Sequence, residues 1–171
     1  MDFDYAASIL SRAEMKAERE RLAADGRRVV FTNGCFDILH TGHLDYLTFA
    51  RRQGDCLVVG LNSDASVHRN KGDARPIVPQ ADRALMLAGL KAVDYVVIFD
   101  EDEPRGLIGE ILPDVLVKGR DWSHYVSGRE LVEANGGEVV LAELVEGRST
   151  TDIIARIADG LAPPASNGKG S

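Results

Sequence analysis

The densest chemistry in the chain lies in ten residues, Gly34-Cys35-Phe36-Asp37-Ile38-Leu39-His40-Thr41-Gly42-His43. Two imidazoles stand three apart with a glycine between them. They follow an apolar, β-branched run, Val29-Val30-Phe31-Thr32, and lead into a helix-like stretch over residues 44–52. The pair therefore falls where a strand turns into a helix. The first amides of a helix have no partners inside it and carry partial positive charge, so a helix start draws phosphate. With a helix beginning near Thr41, His40 lies at its mouth and His43 in its first turn, roughly on one face. Gly42 leaves room for an anion to approach the backbone. Such an arrangement can hold a phosphoryl group while it reacts. Two rival readings are a zinc pair, since i,i+3 histidines can share a metal, and two surface histidines without a ligand.

The elements that must carry this motif alternate regularly. The sequence predicts a helix over residues 5–25, ended by Asp25-Gly26, then a strand over 28–33 and a helix over 41–53. A continuous apolar run over 55–62 reads as a strand buried on both faces. A short helix over 63–68, capped by Ser63 or Asp64, precedes a loop over 69–79 that holds Gly72, Pro76 and Pro79. Helices are expected over 81–90, 104–112, 127–135 and 150–158, the last capped by Ser149, and strands over 95–99, 115–118 and 138–141. Five strands alternating with helices give an α/β fold: a single Rossmann-like domain with a parallel sheet covered on both faces. The division expected is an N-terminal helix in 1–26, the main domain in 27–160 and a disordered Pro/Gly/Ser-rich tail in 161–171. Ligands of such sheets bind beyond the carboxyl ends of the strands. The motif at Gly34–His43, the cluster Asn62-Ser63-Asp64 and the cluster Lys118-Gly119-Arg120-Asp121 all fall at that edge.

Composition narrows the ligand. The 171 residues suit one domain with a proper core, and 44% hydrophobic with 27% charged residues is ordinary for a globular chain. A net charge of -7 argues against a general nucleic-acid binder. Basic residues nevertheless cluster: Arg69, Lys71, Arg75 and Arg83 in one region, Lys118, Arg120 and Arg129 in another, and Arg148 beside a Ser-Thr-Thr run. Local basic clusters on an acidic protein suit a small polyanion such as a nucleotide. No apolar run approaches the ~20 residues of a membrane span, and the acidic start is unlike a signal peptide. Cys35 and Cys56 form no CxxC pair and read as reduced, partly buried thiols, so the expected setting is cytoplasmic.

The chain has no G-x-x-x-x-G-K-[ST], no G-x-G-x-x-G and no G-x-S-x-G, so it needs another phosphate-binding device. Gly34-Cys35-Phe36-Asp37 followed by His40-Thr41-Gly42-His43 resembles the HxGH signature of the cytidylyltransferase-like nucleotidyltransferases, and Gly147-Arg148-Ser149-Thr150-Thr151 resembles their second signature. Thr32-Asn33-Gly34, Gly60-Leu61-Asn62-Ser63-Asp64, Lys71-Gly72, Arg75-Pro76 and Leu116-Val117-Lys118-Gly119 are similar to one branch, the nucleotidyltransferase domain of bacterial heptose-phosphate enzymes. The likeness covers about residues 27–158. Leu144 stands where related cytidylyltransferases carry an arginine, which counts against a cytidine-using glycerol-phosphate enzyme.

The resemblance implies transfer of AMP from ATP to D-glycero-β-D-manno-heptose 1-phosphate, with Mg²⁺ on the nucleotide and no dedicated protein ligands for it. By this likeness His40, His43 and Lys71 are catalytic, stabilising or clamping phosphates. Thr32, Asn33, Phe36, Gly42, Lys118, Arg120, Ser149, Thr150 and Thr151 bind the nucleotide. Asp37, Asp64, Arg75 and Arg83 contact the acceptor. Another acceptor or nucleotide (GTP or CTP; glycerol 3-phosphate or another phosphate ester) keeps the same chemistry, and a nucleotide-binding regulator without turnover is the alternative of another kind. ATP and a sugar phosphate are the expected partners, with no nucleic acid and no membrane. A homodimer and a separate sugar kinase acting upstream are expected as well.

Overall fold

The computed structural model describes residues 4–143 and 149–160. Five parallel strands form one sheet in the order β3-β2-β1-β4-β5: β1 Val29–Gly34, β2 Cys56–Asn62, β3 Tyr95–Phe99, β4 Val115–Gly119 and β5 Glu138–Ala142. Seven α-helices connect and flank them among the described residues: α1 Arg12–Ala24, α2 Thr41–Arg51, α3 Asp64–Lys71, α4 Gln80–Ala88, α5 Arg105–Ile111, α6 Arg129–Ala134 and α7 Thr150–Ala158. The fold is Rossmann-like, as the alternation of elements implied. None of its helices is long and apolar enough to cross a membrane, among the described residues.

Strand alternation divides the core between the two faces of the sheet. Val29, Phe31, Cys56, Val58 and Leu116 point to one face and meet Met15 and Leu22 of α1 together with Leu107, Ile108 and Ile111 of α5. Val30, Leu57, Val59, Leu61, Val115 and Val117 point to the other and meet Leu47 and Ala50 of α2 with Ala84 and Leu87 of α4. Each fully buried aliphatic side chain contributes about 1.5–3 kcal/mol before entropy is counted. Burial on both faces is why β2 reads as an unbroken apolar run: all its residues are buried.

The segment expected as one helix over 5–25 is two pieces. A 3-10 turn at Tyr5–Ser8 ends where Ile9 bridges to Val96 and the Leu10 amide donates to the Val96 carbonyl at 2.9 Å. Helix α1 then starts afresh from a capping box. The Glu14 amide donates to Ser11 Oγ, and the Ser11 amide donates to the Glu14 carboxylate at 2.8 Å. The local Ser-x-x-Glu signal outweighs the helix propensity of the residues before it. The loop expected over 69–79 is also shorter, because α3, capped by Ser63, continues to Lys71.

Candidate active site

The strand order turns between β1 and β4. From β1 the chain winds outward through β2 and β3, then returns to start β4 on β1's other side. Crossovers diverge there and leave a crevice above the carboxyl ends of the strands. Asn33 on β1 and Lys118 on β4 face each other across it, and Lys118 Nζ donates to Asn33 Oδ1 at 2.7 Å. Burial pushes the Lys118 ammonium down to about 8, against the opposing pull of Asp121 and Glu103, so it stays mostly charged at pH 7 but loses its proton about two pH units earlier than an exposed lysine. Above this pair opens a cavity of about 570 Å³.

Helix α2 delivers the imidazoles. His40 is its N-cap residue, and its side chain makes no capping bond to the first turn. The His43 amide donates to the His40 carbonyl at 3.0 Å, which tightens the first turn. This stacks the two rings, with centroids 3.8 Å apart and planes 25° from parallel. Phe36 meets His43 edge-on at 5.2 Å. Its backbone sits in the left-handed region, φ 44°, a conformation costly for a bulky residue and common at functional sites. Gly34 makes this placement possible, since a Cβ there would lie 2.9 Å from the Phe36 ring. Burial, and then the neighbouring His40, lower the His43 imidazole to about 4. Its Nδ1 is buried with no hydrogen-bond partner among the described residues. The site thus keeps a neutral, under-solvated ring where an anion would be welcome.

Two buried charges hold the loops around this centre. Asp37, only 3% exposed, accepts from Arg75 Nε at 2.5 Å, from the Ile77 amide at 2.8 Å and from the Val78 amide at 2.8 Å. Burial works to raise its carboxyl, but those two amides and the guanidinium outweigh it and hold the group below its ordinary range. Arg83 of α4 is 1% exposed. Its guanidinium donates to the carbonyls of Cys35 at 2.6 Å, Asn62 at 2.9 Å and Val78 at 2.9 Å, and to Asp64 Oδ1 at 2.7 Å. One side chain therefore ties together the loops after β1 and β2 and the segment entering α4.

The fold brings nine of the sequence-expected residues to the cavity: Asn33, Phe36, Asp37, His43, Lys71, Arg75, Lys118, Thr150 and Thr151. His40 joins them through its stack on His43, and Gly42 is the second residue of α2. The structure does not bring the others to the lining. Thr32 is fully buried and its hydroxyl bonds Tyr46 Oη at 2.7 Å. Arg120 pairs with Glu143 at 2.9 Å on the surface. Arg83 and Asp64 bind each other, and Ser149 Oγ caps α7 by accepting from the Asp152 amide at 3.1 Å. Thr150 Oγ1 donates to the Ile38 carbonyl at 3.2 Å, which fastens the start of α7 to the loop before α2. Gly147, Arg148 and Leu144 lie outside the described residues. Among the described residues no three His, Cys, Asp or Glu side chains group as a metal site, and none of them adds a third ligand to His40 and His43.

Asn62, whose cluster the sequence set at this edge, also lines the cavity. Sequence reading missed another part of the lining: Asn70, Asp102, Glu103, Tyr125 and Ser127. None belongs to a motif. Their only signal is position, since Asp102 and Glu103 follow β3 and Tyr125 and Ser127 follow β4 at the same sheet edge.

An uncapped helix start with paired imidazoles, at the crossover point of a parallel sheet, defines a phosphate-handling α/β protein. The cytidylyltransferase-like family model matches residues 31–156, and the chain belongs to that family; it is a nucleotidyltransferase. Among curated proteins it is 53% identical over 157 residues to the bifunctional protein HldE of Syntrophotalea carbinolica, covering 91% of this chain and 32% of that one. It is 63% identical over 134 residues to HldE of Campylobacter concisus, covering 78% of this chain and 28% of the relative. The chain thus spans about a third or less of the length of these relatives. The crystal structure of the lipopolysaccharide core biosynthesis protein from Thermoplasma volcanium superposes with a TM-score of 0.58 at 29% identity, covering 71% of this chain and 99% of that one. Pantoate-beta-alanine ligase from Francisella tularensis, at 14% identity and TM-score 0.60 over 90% of this chain and 77% of its own, shares the fold.

Proposed function

We propose that the protein transfers AMP from ATP to D-glycero-β-D-manno-heptose 1-phosphate, forming ADP-heptose and pyrophosphate. The observation that carries this reading is the stacked pair His40 and His43 on the uncapped start of α2, beside Thr150 and Thr151 in one cavity. The choice of acceptor is supported by the extended likeness to heptose-phosphate nucleotidyltransferases and by 50–63% identity to HldE proteins.

In this reaction a phosphate oxygen of the sugar 1-phosphate attacks the α-phosphorus of ATP. The bond from that phosphorus to the oxygen bridging to the β-phosphate breaks, and its electron pair leaves on pyrophosphate. A phosphate monoester has its second pKa near about 6, so the attacking oxygen is already ionised and needs no protein base. The protein's task is to align the three centres and to neutralise charge as it builds on the leaving group. His43 starts neutral; an arriving triphosphate favours its charged form and so tightens the grip as the reaction proceeds. His40 lies beside it, and the amides of α2 point at the same anion. Lys71, at the C-terminal end of α3, reaches the cavity as an exposed cation for phosphates of either substrate. A Mg²⁺ ion would be held by the nucleotide's phosphates and water, near Thr150 and Thr151, and would supply further neutralisation of the leaving group.

The reading sets the protein in the cytoplasm, where ATP is available, and requires a sugar kinase to supply the heptose 1-phosphate. The product feeds lipopolysaccharide or another cell-surface glycan. Half-exposed Leu85 and Met86 on α4 offer a surface for a homodimer.

Incubation with Mg-ATP and the β-anomer of the heptose 1-phosphate is expected to release pyrophosphate. His40→Ala and His43→Ala should each lower kcat about 10²–10³-fold, the cost of one well-placed donor to a developing oxyanion. Binding of ATP with no pyrophosphate from any acceptor would overturn the proposal in favour of a regulator. Turnover with glycerol 3-phosphate or with CTP alone would keep the chemistry and replace the substrate.

A further inference from the structure

The cavity has two walls of unlike chemistry. One, on the side of α2, carries His43 and the hydroxyls of Thr150 and Thr151. The other lies on the opposite face of the sheet, where α5 and α6 begin, and carries Glu103, Tyr125 and Ser127. Glu103 directly precedes Pro104, the N-cap of α5, and Ser127 directly precedes Gly128, the N-cap of α6. The loops after β3 and β4 thus meet above the sheet, and hydroxyls join them. Tyr125 Oη donates to Glu103 Oε2 at 2.8 Å, and Ser127 Oγ donates to the same oxygen at 2.9 Å. Among the described residues Glu103 forms no salt bridge, though Lys118 at the cavity floor feels its charge. Its neighbour Asp102, by contrast, is neutralised by Arg69 at 2.7 Å.

A carboxylate fixed through one oxygen at the wall of the cavity is a poor neighbour for a triphosphate. It is a good acceptor for hydroxyl groups, which it binds by charge-assisted hydrogen bonds. In-line displacement adds a direction: the attacking oxygen and the leaving pyrophosphate stand on opposite sides of the α-phosphorus. With the leaving group held at the start of α2 and α7, the wall that carries Glu103 is the one left facing the side of attack. We propose that Glu103, held by Tyr125 and Ser127, binds the sugar hydroxyls of the acceptor and selects polyhydroxylated phosphates over simpler ones. The proposal rests on the nucleotidyl-transfer reading and adds to it the residue that recognises the acceptor.

The test is Glu103→Gln, with Tyr125→Phe as a milder variant that retains the carboxylate. Expected for Glu103→Gln is a rise of about 10–100-fold in KM for the heptose 1-phosphate, the loss of hydrogen bonds to a charged group. KM for ATP should stay within about twofold and the melting temperature should not move. Tyr125→Phe should show a smaller rise in the same constant. Glycerol 3-phosphate, with fewer hydroxyls, should lose less than the sugar phosphate does. A rise confined to KM for ATP would overturn the proposal, because the carboxylate would then hold the nucleotide's ribose. Equal changes in both constants with a lowered melting temperature would also overturn it, as the mark of a structural role. Absence of pyrophosphate release by the unaltered protein defeats the reaction itself, and calorimetry then decides the acceptor site separately. Heptose 1-phosphate titrated with a non-hydrolysable ATP analogue present should bind the unaltered protein more tightly than Glu103→Gln; equal binding, or none to either, overturns the proposal.

Discussion

Replacing Arg83 with methionine should cost stability rather than substrate affinity. The side chain has no solvent exposure, while that of its partner Asp64 is 44% exposed. Its removal strands the carbonyls of Cys35, Asn62 and Val78, each of which now accepts from the guanidinium within 2.9 Å. An orphaned buried polar group costs about 1–3 kcal/mol, so the three set an upper bound of about 9 kcal/mol. The apolar replacement also removes the cost of keeping a cation out of water, which offsets part of this. The net is about 3–5 kcal/mol, typical for breaking a buried charged network from one side. At roughly 2–4 °C per kcal/mol for a domain of this size, the melting temperature should fall by about 6–20 °C. Circular dichroism melts and urea titrations measure it, and Arg83→Lys should fall between the two, since one ammonium cannot reach four acceptors. A melting temperature within about 2 °C of the unaltered protein, with a raised acceptor KM, would refute the reasoning. Arg83 would then be touching substrate.

Asp37→Asn should destabilise by about 2–4 kcal/mol, because an amide turns one end from acceptor to donor against Arg75 and two backbone amides. Limited proteolysis should then cut between residues 72 and 79, and resistance equal to the unaltered protein would count against the strut. His43 should make stability depend on pH. Its folded value, about 4, lies below its ordinary 6.5, so between these the unfolded chain binds more protons. Stability from this group is therefore full above pH 6.5 and declines toward pH 4. Urea titrations at pH 4.5, 5.5 and 7 should show a shallower decline in His43→Gln, and equal slopes would disprove the assignment.

Much of the fold was legible because its signals are local and redundant. Strand β3 and helix α7 lie where the residue pattern sets them, and Ser149 caps α7 as its position implied. The break before α1 escaped notice because pairing of Ile9 with β3 is a long-range contact that no neighbouring residue announces. The site divides along the same line. His40, Gly42 and His43 declare themselves by spacing, since a strand-to-helix junction needs only the next few residues to form.

The roles of Arg83 and Glu103 could not be read that way. An arginine on an amphipathic helix looks alike whether it faces solvent, substrate or three carbonyls; only packing of α4 beneath the loops after β1 and β2 buries it. Glu103, Tyr125 and Ser127 come from two loops that become neighbours only once β3 and β4 take their places in the sheet. Sequence by itself determined the alternating elements, the strand-to-helix turn that carries the paired histidines, and the family, because periodicity and short motifs are properties of adjacent residues. Tertiary structure alone decided which charges became struts and which face the cavity, because burial and hydrogen-bond partners are set by segments distant along the chain.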